Sequence, residues 1–112
     1  MRTGIDIVEI SRIEKLVTRY DRRFLEKVFT GSEIAYAHRR RRPAEPLAGR
    51  FAAKEAFMKA MGRKLPWTDV EITMEGTKPS VSYDGRVYSS VSISHEREYA
   101  VAVVVLIGQE GP

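Results

Sequence analysis

Apolar residues recur along this chain with two different periods, and the change falls near its middle. Up to residue 62 the spacing is mainly helical, and beyond residue 68 it alternates. Residues 4–10 read as a first strand, with Ile5 and Ile7 on one face and Gly4, Asp6 and Val8 on the other. Ser11 and Glu14 form an S-x-x-E capping pattern, which predicts a helix starting near Ser11. Its apolar stripe is Ile13, Leu16, Val17, Tyr20 and Phe24. A second helix is predicted from near Thr30, boxed by Glu33, to about Arg40. The run Arg39-Arg40-Arg41-Arg42, followed by Pro43 and Pro46, reads as a loop. Residues 48–61 make a third helix that is apolar almost all round. Leu47, Phe51, Phe57, Met58 and Met61 lie on one side and a series of alanines on the other, the pattern of a buried helix. Gly62 ends it.

The second half reads as strands. Residues 69–74 alternate, with Val70, Ile72 and Met74 on one face. Gly76 to Pro79 marks a turn, and Asp84-Gly85 between residues 80–83 and 86–88 is a strong hairpin signal. Residues 91–94 and 99–107 are further strands joined by a polar turn. The expected class is α+β: three helices after a first strand, packed on an antiparallel-rich sheet.

Composition narrows the reading. A chain of 112 residues fits one domain over 1–112. A domain of that size buries only about two-thirds of its unfolded surface, so self-association is a reasonable way to bury more. The absence of cysteine excludes disulfides, zinc–thiolate sites, iron–sulfur clusters and thiol nucleophiles. The first four residues lack the apolar stretch of a signal peptide, and the longest apolar run, 100–107, is too short to span a bilayer. The expectation is a cytoplasmic protein without a membrane partner. Nineteen basic residues against fifteen acidic ones leave a net charge of +4, which suits an anionic partner: nucleic acid, nucleotide or acidic protein.

Candidate chemistry concentrates on a few residues. Glu55 and Lys59 stand four apart on the third helix and share a face with Ala48 and Ala52. On an ordinary helix they would be a surface ion pair, but a charge on an apolar helix needs a partner. Asp6 is a carboxylate in a short apolar strand, either solvated or an oxygen ligand of a hard metal. With Glu55 it would supply two carboxylates, the usual protein share of a magnesium–phosphate site. Arg12, Lys15, Arg19, Arg22 and Arg23 line up as a single-sign stripe on one predicted helix. Such a stripe favours an acidic protein surface or, equally, nucleic acid. His95, at a strand end, and Lys78, in a turn, are weaker candidates whose commoner roles are structural or solvated.

Four segments together resemble one family. They are Gly4-Ile5-Asp6-Ile7-Val8-Glu9-Ile10 with Arg12-Ile13, the F-x-x-K-E-x-x-x-K signature from Phe51 to Lys59, the Trp67, Asp69, Glu71, Gly76 and Pro79 series, and Val91-Ser92-Ile93-Ser94-His95. In this order they are similar to the small bacterial 4′-phosphopantetheinyl transferases, the holo-[acyl-carrier-protein] synthases. The resemblance implies that family's fold and its activity. That activity is magnesium-dependent transfer of 4′-phosphopantetheine from coenzyme A to a serine of apo acyl carrier protein, with release of adenosine 3′,5′-bisphosphate. It implies Asp6 and Glu55 as metal ligands, and Asp6, Glu55 and Lys59 as the catalytic set, with Glu55 the candidate base. Coenzyme A contacts would fall to Lys59, His95, Arg50 and Pro79, and docking of the acidic carrier to Arg12, Arg19, Arg22 and Arg23. It further implies a homotrimer with sites between subunits, a place in fatty acid biosynthesis, and no nucleic acid partner. The 79–91 segment is shorter than is usual there and carries the Asp84-Gly85 signal in place of a helix. The alternative is a non-catalytic module that binds coenzyme A, carrier protein or nucleic acid.

Overall fold

The computed structural model describes residues 1–108. β1 (Arg2–Glu9) runs directly into α1 (Ile10–Tyr20). The Ile10 N–H donates to the Glu98 carbonyl at 2.8 Å, so a tertiary contact stands in for a side-chain cap. The expected Ser11–Glu14 box does not form. The helix starts one residue earlier, and the Glu14 carboxylate is held by Arg42 at 3.0 and 3.1 Å. The stripe expected on one helix is also divided. Asp21, at φ +48°, turns the chain, and α2 (Arg22–Val28) carries Arg22, Arg23 and Phe24 in a new direction.

α3 (Gly31–His38) opens as predicted, with Thr30 and Glu33 completing a reciprocal capping box. α4 (Ala44–Met61) begins a turn earlier than predicted. Pro46 sits inside its first turn, where the missing N–H has no helical partner to lose. Gly62 closes the helix in the left-handed region at φ +79°, and the Arg2 guanidinium donates to the Met61 carbonyl at 3.0 Å.

A short 3₁₀ turn (Trp67–Asp69) leads to β2 (Glu71–Glu75), β3 (Lys78–Tyr83) and β4 (Arg86–Tyr88). The β3–β4 hairpin forms at Asp84-Gly85, both at positive φ (+50° and +77°), as a type I′ turn requires. β5 (Val91–His95) and β6 (Tyr99–Leu106) complete the strands among the described residues. The strands make two antiparallel three-stranded sheets, β1-β6-β5 and β2-β3-β4, rather than one.

α4 is apolar all round because it is packed on every side. It lies along the inner face of β1-β6-β5, where Val8, Ala100, Ala102 and Val104 are buried. Its Phe57 ring meets Tyr83 and Tyr88 of the second sheet at 5.7 and 5.1 Å. The small residues of α4 receive the sheet: Ala48, Ala52 and Ala56 are fully buried, and Gly49 faces Ile93. Gly4 is the closest approach. A Cβ there would lie 1.8 Å from the Ala56 carbonyl oxygen, so β1 and α4 touch backbone to backbone. The outer face is uncovered: Ile5 and Ile7 are 61% and 64% exposed beside Val103 and Val101.

Candidate functional site

The Gly4 contact places the next inward residue of β1, Asp6, against the C-terminal half of α4. Lys59 reaches across from the helix. Its ammonium donates to Asp6 Oδ1 at 3.3 Å and to the Ile5 carbonyl at 2.9 Å. The ion pair Lys59 makes is thus with Asp6 across the β1–α4 contact, not with Glu55 along the helix. Asp6 is largely covered (16% of its side chain exposed), while Lys59 remains half open at 53%. Glu55 sits one helical turn earlier, half-buried. Asp6, Ala102 and Ile93 form one inward row of the sheet, and Val8, Ala100 and His95 the next. His95 therefore shares the face of Asp6, at the open edge of β5.

The donors here suit a hard cation. A carboxylate and a main-chain carbonyl already converge on the Lys59 ammonium, and oxygen donors of this kind are what magnesium takes. Among the described residues no cluster of three or more His, Asp or Glu side chains is close enough to hold a metal. Asp6 and Glu55 would supply at most two ligands, with the rest left to phosphate oxygens and water.

The other expected residues are placed as follows. The Arg50 guanidinium is buried and lies 4.2 Å over the Tyr36 ring, with Arg40 stacked on the same ring. Among the described residues its Nε has no partner, and burial lowers its pKa from the usual guanidinium value. Pro79 lies in β3 opposite Met74, in the second sheet. Arg12 and Arg19 are exposed on α1, and Arg22 and Arg23 on α2, with Arg22 3.7 Å from Glu26. A groove of about 300 Å³ between these two helices has an apolar floor of Leu16, Tyr20 and Phe24 and a cationic rim of Arg23 and Lys27. A cleft of about 740 Å³ flanked by α2 and α3 contains none of Asp6, Glu55, Lys59 and His95.

One ion pair had no counterpart in the sequence reading. Lys54, fully buried, meets Glu33 Oε1 at 2.9 Å and donates to the carbonyls of Trp67 and Val70 at 2.9 and 2.6 Å. The other Glu33 oxygen accepts from the Ile72 N–H at 2.7 Å. Burial pushes the Lys54 ammonium below its usual pKa, against the pull of Glu33. Half of the signal was available: a lysine on an all-apolar helix requires a buried partner, whereas nothing in the Thr30–Glu33 capping box marked Glu33 as that partner. The pair ties α4 to α3 and β2 on the side of the helix away from β1.

Comparison with known proteins shows the family and the fold. A profile of the 4′-phosphopantetheinyl transferase superfamily matches residues 2–104. The holo-[acyl-carrier-protein] synthase of Thermus thermophilus is 42% identical over 92% of this chain and 90% of its own length. That of Chloroherpeton thalassium is 46% identical over 95% and 97%. The crystal structure of Helicobacter pylori holo-[acyl-carrier-protein] synthase in complex with coenzyme A superposes with a TM-score of 0.80 at 36% identity, over 92% of this chain and 97% of that one. The Neisseria meningitidis enzyme gives 0.81 at 28%, over 92% and 94%. With the motif residues, the two-sheet architecture and these relatives in agreement, the chain belongs to the 4′-phosphopantetheinyl transferase superfamily and, within it, to the holo-[acyl-carrier-protein] synthases.

Proposed function

We propose that this chain transfers 4′-phosphopantetheine from coenzyme A to a serine of apo acyl carrier protein, with magnesium, as a step that equips fatty acid biosynthesis. The observation that carries the reading is the Asp6–Lys59 contact between β1 and α4, an acid and a base held together by the family's two most characteristic segments. Asp6 and Glu55 would hold magnesium, which when bound supplies positive charge to the pyrophosphate as the P–O bond breaks. Lys59 adds a mobile positive charge for the leaving phosphate, since its side chain is half open to solvent. Glu55 takes the proton of the carrier serine. His95, on the same sheet face as Asp6, offers a donor to the coenzyme A phosphates. Arg50, buried against Tyr36 on the α3 side of α4, would support that helix rather than touch the phosphates, and Pro79 would approach the ligand from the second sheet. Arg12, Arg19, Arg22 and Arg23 would dock the acidic carrier, with the α1–α2 groove taking an apolar side chain.

A homotrimer with sites between subunits fits the outer sheet face. Ile5, Ile7 and the half-buried Val101, Val103 and Val105 form a contiguous apolar surface that a lone chain leaves in water. Among the described residues no helix is long and apolar enough to cross a membrane. The test is the mass of apo acyl carrier protein after incubation with this chain, coenzyme A and magnesium. A gain of one phosphopantetheine group, lost with a chelator or with Asp6→Asn, is expected. No gain from folded protein with several carriers would favour the binding-only alternative.

A further inference from the structure

The Lys59 ammonium does more than lie near the candidate metal site. It occupies Asp6, donating to Oδ1 at 3.3 Å, and is anchored from behind by the Ile5 carbonyl at 2.9 Å. Asp6 is mostly covered, and the Lys59 ammonium is the cation that compensates it in this structure. A metal ion and this ammonium compete for the same carboxylate. We propose that Lys59 is an exchangeable counter-ion of Asp6, displaced when the metal binds, and that coenzyme A phosphates assist by offering the freed ammonium another anion. This rests on the proposed Asp6 metal site and adds to it a direction of coupling: each ligand lowers the cost of binding the other through one side chain.

The geometry permits the exchange. Half of the Lys59 side chain is solvent-accessible, so its head swings away without disturbing the packed part of α4. The carbonyl and carboxylate that hold it belong to consecutive residues of β1, a strand fixed by the backbone contact at Gly4. The oxygens therefore stay in place when the cation changes. Glu33 and Lys54 pin the far side of the same helix, so the exchange involves the Lys59 side chain rather than the helix.

The experiment is a Mn²⁺ titration followed by the electron paramagnetic resonance of the free ion, with and without coenzyme A. It is run on the wild-type chain and on Lys59→Gln, Lys59→Arg and Asp6→Asn, each checked for fold by circular dichroism. Removing an ammonium from a partly exposed ion pair is expected to tighten Mn²⁺ binding about fivefold in Lys59→Gln without coenzyme A. Coenzyme A should then improve Mn²⁺ affinity less in Lys59→Gln than in the wild type. Lys59→Arg, which keeps the charge, should return Mn²⁺ affinity toward the wild-type value. Unchanged or weaker Mn²⁺ binding in Lys59→Gln, with Asp6→Asn still abolishing it, overturns the exchange and leaves the metal site standing. Tighter binding with undiminished coupling to coenzyme A also overturns it, since Lys59 would then only repel the ion. Wild-type Mn²⁺ binding in Asp6→Asn removes the metal site and the exchange together.

Discussion

Replacing Gly4 with alanine tests whether one backbone contact sets the site. The new Cβ would lie 1.8 Å from the Ala56 carbonyl oxygen, 2.8 Å from its carbon and 2.9 Å from the Ala60 nitrogen. Ordinary contact begins at 3.4 Å, so the closest pair is short by 1.6 Å. The obstacle is main chain of a buried helix, with no side chain that can rotate away. β1 and α4 must separate by roughly that distance, opening the alanine-lined seam around Ala52, Ala56 and Ala60. Overpacking of this kind costs about 1–3 kcal/mol, and the rigidity of the obstacle argues for the upper end. In a domain of this size ~3 kcal/mol lowers Tm by roughly 12 °C or more. The same displacement moves Asp6 on β1 away from Glu55 and Lys59 on α4, the last of which it now meets at 3.3 Å. A misplacement of about 1 Å at reacting groups costs on the order of 10²-fold in rate. Urea unfolding gives the first quantity and carrier mass against time the second. A variant within about 0.5 kcal/mol of the wild type, the range of an ordinary surface change, and with turnover within twofold, would refute the idea that the Gly4–Ala56 contact positions Asp6 and Lys59.

Lys54→Met leaves Glu33 buried without its cation and is expected to destabilise the fold by about 3–5 kcal/mol in urea unfolding, with Glu33→Gln added in the same chain recovering part of the loss. The Glu71 carboxyl sits below its usual pKa because the hydroxyls of Ser32 and Thr30 donate to it. Its stabilisation is therefore full above the ordinary carboxylate pKa and lost as pH falls through the depressed one. The stability difference between wild type and Glu71→Gln should shrink on acidification, and a gap independent of pH would discredit these hydrogen bonds. Arg12→Glu should weaken carrier binding in a titration calorimeter severalfold while coenzyme A binding holds; equal carrier affinity would count against docking on α1. Ile7→Lys, on the exposed sheet face, should lower the mass seen by light scattering to that of a monomer, and an unaltered oligomer would exclude this face from the interface.

Much of the fold was legible because it is written locally. The Thr30–Glu33 capping box, the Gly62 stop and the Asp84-Gly85 turn each depend on residues within a few positions, and each forms where expected. The errors share a cause as well. The Ser11–Glu14 box lost to two distant partners, the Glu98 carbonyl for the Ile10 N–H and Arg42 for Glu14. The arginine stripe was drawn on one straight helix, but Asp21 adopts a positive φ that periodicity does not encode. The run 39–42 is a loop, as expected, but periodicity did not show what its side chains hold: Arg42 is a clamp between Glu14 and the Arg97 carbonyl, and Arg40 is stacked on Tyr36.

The sequence by itself determined the order of the elements, the burial of α4 and the family, through motifs that keep their residue types and spacing. It also singled out Asp6, Glu55 and Lys59, because charges on apolar segments are costly and so conspicuous. Tertiary structure alone decided which of these charges meet. Asp6 and Lys59 are 53 residues apart, and what joins them is a glycine thin enough for a strand to rest on a helix. It likewise decided which face of β1 turns inward, since alternation defines two faces and only the packing partner chooses between them. α4 took the Gly4–Asp6–Val8 face, which left the isoleucines outside and the carboxylate within reach of its lysine.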